Sequence, residues 1–100
     1  MFNKDRDRLK ASREVLAYYK DMLEQRGYSP INLADSEPTS VDHLLWMCVE
    51  AIRMIDQDKY VRIDKVSRWL GYIQGVLVCN GMLDVAEERE RTRPIFTGVK

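Results

Sequence analysis

The chain is short of most residues with which proteins do chemistry. It has one histidine, His43, and two cysteines, Cys48 and Cys79, among 100 residues. A single imidazole excludes a histidine-rich metal site, and the two thiols lack metal-ligand spacing. Both fall on expected helices at core or near-core positions, which suits small buried hydrophobes better than a disulfide. No second base completes a nucleophilic arrangement around Ser40, Asp42 and His43, so these three read as the start of a helix. No glycine loop is present to cradle phosphate: Gly71 and Gly75 lie inside a helical pattern and lack a lysine-serine or lysine-threonine sequel. Glu87, Glu88 and Glu90 are close in sequence, but on a short exposed helix they read as solvated rather than paired for acid-base work. The expectation is a protein that is not an enzyme and uses no cofactor or metal.

Net charge is missing as well. Sixteen basic residues balance sixteen acidic ones, which removes the field expected of a protein that binds nucleic acid or anionic lipid through its overall charge, although a local basic patch stays open. No apolar run is long enough to span a bilayer, so no membrane partner is expected. The opening Met1-Phe2-Asn3-Lys4-Asp5-Arg6 puts charge where a signal peptide would need an apolar core. A reducing cytoplasm is the expected setting.

What is there is helical periodicity. The chain is organised around Arg68-Trp69-Leu70-Gly71-Tyr72-Ile73-Gln74-Gly75-Val76-Leu77. Ile63, Val66, Trp69, Leu70, Ile73, Val76 and Leu77 recur at steps of three and four and make one broad core face. Asp64 is a candidate cap, Asn80-Gly81 supplies a left-handed stop, and Asp84 can cap a following helix with Glu87 three residues on. Gly71 and Gly75 sit on a flank with Asp64 and Arg68, where each glycine costs about 1 kcal/mol relative to alanine. Close packing of a neighbouring helix is the favoured compensation, and approach of a partner or ligand to the backbone is the alternative.

Upstream, Phe2 precedes a possible cap at Asn3, and a mixed-charge run leads into the stripe Leu9, Val15, Leu16, Tyr19, Met22, Leu23, closed by Arg26 and Gly27. Tyr18 lies nearly opposite that stripe, either a plainly exposed ring or part of a contact surface. Residues 28–38 carry two prolines and no helical period; this loop either pins the first helix through Ile31 and Leu33 or leaves it to dock on a second subunit. Thr39 or Ser40 starts the next helix, whose stripe is Val41, Leu44, Leu45, Cys48, Ala51, Ile52 and Ile55. Trp46, Met47 and Val49 spread apolar surface around the rest of its circumference, which marks it as central to the fold or else leaves Trp46 as an interface anchor. The segment from Asp84 to Arg93 has acids early and bases late, with Pro94 as its stop. Its arginines Arg89, Arg91 and Arg93 belong to a solvated face or contact phosphate or an acidic partner. Ile95 and Phe96 are placed to fold back onto the core before a short tail.

The fold expectation is a single all-α domain over residues 1–100: an N-terminal helix within 1–27, a loop at 28–38 and a helical core from 39. The bundle has about four helices, near 3–26, 40–56, 64–80 and 85–93, with the second and third as a central antiparallel hairpin. A chain of this size buries only about 60 to 70% of its unfolded surface, so a dimer is expected to help.

Residues 68–77, followed by Leu83-Asp84-Val85, Glu87-Glu88-Arg89 and Thr92-Arg93-Pro94, with a weaker echo in His43-Leu44-Leu45-Trp46-Met47, resemble a family of small uncharacterised proteins of tailed bacteriophages. The likeness covers roughly the C-terminal two fifths. It implies a phage accessory protein in the cytoplasm of the bacterial host cell that binds a host protein without catalysis, inhibitors of antiviral defence being a common form. Candidate partner-binding residues are Tyr18, Trp46, Arg68, Gly71, Tyr72, Gly75, Arg89, Arg91 and Arg93. The alternatives are a helical nucleic-acid-binding regulator using the corner at Gly81, and a structural or assembly protein acting through its own oligomer.

Overall fold

Four segments of helical periodicity become four helices in the computed structural model, which describes residues 3–97. They are α1 (Asn3–Gln25), α2 (Val41–Gln57), α3 (Ile63–Cys79) and α4 (Val85–Thr97), with no strand among the described residues. The reading of Phe2 as a residue preceding a cap, and the short tail after Thr97, lie outside them.

Two of the three chain reversals begin at a glycine. After α1, Gly27 adopts φ +91°, its N–H donates to the Glu24 carbonyl, and the Tyr28 N–H donates to the Leu23 carbonyl. After α3, Gly81 adopts φ +75° and the same pair of bonds forms, Gly81 to Val78 and Met82 to Leu77. Both are Schellman closures, which need a left-handed residue that only glycine supplies cheaply. Helix starts are read from side chains: Ser40 Oγ accepts from the His43 N–H, and Asp84 Oδ1 accepts from the Glu87 N–H at 3.0 Å. Asp64 is not a cap. Arg62 occupies the cap position of α3 without a side-chain bond to it, and Asp64, in the first turn, pairs with Arg62.

α1 is an integral wall of the bundle. Val15, Leu16, Tyr19 and Leu23 are fully buried, together with Leu44, Leu45, Cys48 and Ala51 of α2 and Val66, Ile73 and Leu77 of α3. The α1–α2 seam is the most extensive helix pairing, and Arg13 crosses it with a bidentate pair to Asp56 at 2.7 Å. Loop 28–38 is pinned by polar groups rather than by its apolar residues. Ile31 stays 45% exposed, while Asp42 accepts from Ser29 and Ile31, His43 Nδ1 accepts from the Leu33 N–H, and the Tyr72 hydroxyl donates to the Pro38 carbonyl. Asp42 and His43 therefore serve the loop as well as the helix start. Cys79 proves exposed rather than near-core; Cys48 is buried, and both are free thiols.

Pro94 does not stop α4, which runs through it to Thr97. A proline interrupts a helix through the missing N–H and a clash with the carbonyl four residues back. Here the continuation is one turn long, and Ile95 and Phe96 pack against the core as they extend it, which offsets the cost. The pairings give direction: Arg13 meets Asp56, Gln74 and Glu88 both meet Tyr19, and Phe96 lies with Arg8, Ser12 and Ser67. The helices thus alternate up and down, and α4 leans on α1 while diverging from α3.

Candidate functional site

Divergence of α3 from α4 leaves a groove of about 400 Å³. One wall is Gly71, Gln74, Gly75 and Val78 of α3, and the other is Val85, Glu88, Arg89 and Thr92 of α4. Each set follows the spacing i, i+3, i+4, i+7, so each is one stripe of a helix.

The glycines are open. A Cβ built at Gly71 or Gly75 would meet no atom outside its own helix within 4 Å. This overturns the expectation that a neighbouring helix packs there. Such a helix would have been α4, and α4 is drawn to α1 instead. What draws it is the floor of the groove. The Tyr19 hydroxyl, on a side chain with no exposed surface, donates to Glu88 Oε1 at 2.5 Å and accepts from Gln74 Nε2 at 2.9 Å. Glu88 is only 8% exposed, and Arg91 pairs with it from one turn further on. Glu88 is therefore not solvated as its sequence neighbourhood suggested. A buried carboxylate needs such partners, because leaving it unpaired would cost several kcal/mol. Burial first, and then the Glu88 hydrogen bond, push the Tyr19 phenol well above its ordinary range. Burial alone would lower the Arg91 pKa, but bonding to Glu88 and its charge hold the guanidinium above its usual value.

The candidate residues separate into three places. Gly71, Gly75 and Arg89 line the groove, and Arg68 and Tyr72 are exposed beside it on α3. Tyr18 and Arg91 meet on the α1–α4 seam, the guanidinium 3.6 Å from the centre of a ring that remains 44% exposed. Trp46 is elsewhere, half-buried, stacked on His43 at 5.6 Å and tilted against Trp69 at 6.2 Å. Of the three α4 arginines, Arg91 is engaged by Glu88 and Arg93 pairs with Glu90 at 3.2 Å. Arg68 and Arg89 form no ion pair among the described residues.

Gln74, Val78, Val85, Glu88 and Thr92 were not singled out from the sequence. The repeated i, i+3, i+4, i+7 spacing of the two walls was the available signal, but nothing local says that two such stripes face each other. The lining offers no nucleophile and base in contact among the described residues: Glu88 is consumed by its partners, and the Thr92 hydroxyl donates to the Glu88 carbonyl. No group of three or more His, Cys, Asp or Glu able to hold a metal occurs among the described residues. No described helix is long and apolar enough to cross a membrane. Comparison with family models, curated proteins and solved structures finds no match to this chain.

Proposed function

We propose that the chain is a non-catalytic binder of a host protein, and that the α3–α4 groove is where it binds. The observation that carries this is the pair of helix-interior glycines. Each costs about 1 kcal/mol relative to alanine, and no packed neighbour benefits from their lack of a side chain. The remaining beneficiary is a partner that approaches the backbone. Seven of the eight lining residues, all but Val78, belong to the stretches that carry the resemblance to small proteins of tailed phages. A phage accessory protein acting in the bacterial cytoplasm, with inhibition of antiviral defence as its effect, is the setting that accords with this. The nucleic-acid alternative loses support because Arg91 and Arg93 already have carboxylate partners.

The test is capture from bacterial lysate with the wild-type chain and a Gly75→Leu variant, which fills the groove without disturbing the core. A host protein retained by the wild type and lost with the variant is the expected result. Equal capture by both would remove the groove from the reading.

A further inference from the structure

Two arginines at the groove, Arg68 and Arg89, form no ion pair among the described residues and specify the partner further. We infer that the groove receives an acidic α-helix, with its carboxylates on Arg68 and Arg89 and its small or apolar side chains over Gly71 and Gly75. This rests on the reading of the groove as a protein-binding site and adds the chemistry of what enters it.

The occupant is a helix for two reasons. Apart from the Val85 N–H at the start of α4, the backbone N–H and C=O groups of both walls are used within helices, so an extended peptide would find no strand edge to pair with. Absence of side chains at two positions four apart lets a second helix axis approach closely, and the wall runs from Gly71 to Val78, about 10 Å or two helical turns. Val78 and Val85 supply apolar contact at one end.

It is acidic because of the charges left over. Glu88, the one carboxylate in the lining, is neutralised by Arg91, which leaves Arg89 as the lining charge with no ion-pair partner among the described residues. Arg68 lies three residues before Gly71 and seven before Gly75, on the same face of α3. Gln74 and Glu88 share the Tyr19 hydroxyl and so sit level. With α4 antiparallel to α3, Arg89 is then roughly level with Ile73, and Arg68 lies about 8 Å further along the α3 axis. Carboxylates four residues apart on a helix are separated by about 6 Å, within reach of two long arginine side chains. A phosphate backbone would need a longer run of cations, and the arginines that would extend it are already paired. A symmetric contact with a second copy would bring the same two arginines toward themselves.

The experiment is a titration of the isotope-labelled full chain, followed by NMR. Its probes are two short stapled helical peptides of alanine and leucine, alike except that two positions four apart are glutamate in one and lysine in the other. The expected result is saturable shifts of the Gly71, Gly75 and Arg89 amides with the glutamate peptide alone. An Arg68→Glu/Arg89→Glu variant should weaken that binding roughly tenfold and bind the lysine peptide instead. Both side chains are exposed and form no ion pair among the described residues, so the variant should melt as the parent does.

Equal binding of both peptides, or of neither, overturns the inference, as do the same shifts produced by duplex DNA or by raising the protein's own concentration. If the Gly75-dependent lysate partner is still captured by the charge-reversed variant, the acidic helix falls and the groove survives. If capture never depended on Gly75, the reading beneath it falls too.

Discussion

The hydroxyl of Tyr19 is the atom on which three helices agree, since it joins α1 to Glu88 of α4 and Gln74 of α3. Replacing it in Tyr19→Phe leaves a buried carboxylate one donor short and should cost about 1 to 3 kcal/mol, read as a lower melting temperature. The same group predicts alkaline behaviour. Its folded-state pKa is raised above the unfolded one, so its contribution is intact below the ordinary tyrosine pKa of about 10 and fades as pH rises beyond it. Above pH about 10 the wild type should therefore lose stability more steeply than Tyr19→Phe. The two thiols should also differ. Burial pushes the Cys48 thiol up to about 12, whereas Cys79 is exposed. A disulfide reagent at neutral pH should label Cys79 alone in the native protein and both cysteines in denaturant.

At the scale of the helix, glycines of identical composition should respond in opposite ways. Gly71→Ala and Gly75→Ala place a methyl in open space on a helix, and each should raise stability by about 0.4 to 1 kcal/mol. Gly27→Ala and Gly81→Ala force alanine into a left-handed turn and should lower stability by about 1 to 2 kcal/mol. Melting curves of the four variants distinguish the two groups. The left-handed positions were legible beforehand, because a glycine just after an apolar stripe has one common use. The four helices and most of their core faces were legible for a related reason, since periodicity is local. The groove was not, because whether Gly71 meets a neighbour depends on where α4 leans. That is decided by Tyr19, Gln74 and Glu88, which are 55 and 69 residues apart in sequence. The end of α4 was misjudged at Pro94 because the compensating contacts of Ile95 and Phe96 are also tertiary.

At the scale of the molecule, one of the two reasons for expecting a dimer disappears, while the limited surface that a chain of this size can bury remains. A second copy was wanted to cover the stripe of α1, and the chain covers that stripe itself. The radius of gyration, 13.3 Å, is that of a 100-residue domain with no protruding arm, about 13 Å. Sedimentation at micromolar concentration should give the mass of one chain, 11.8 kDa.

The one-sided seating of α4 also sets an order of opening. α1, α2 and α3 each pack on the other two, whereas α4 is held mainly through α1. Its amides should therefore exchange with solvent through a partial opening that costs less than global unfolding, as a separate cooperative unit. Loss of the Tyr19 hydroxyl should speed exchange in 85–97 before it is felt in the α1–α2 seam. A molecule that breathes by releasing α4 varies the width of its groove on the timescale of that opening, and a helix bound there would slow the motion.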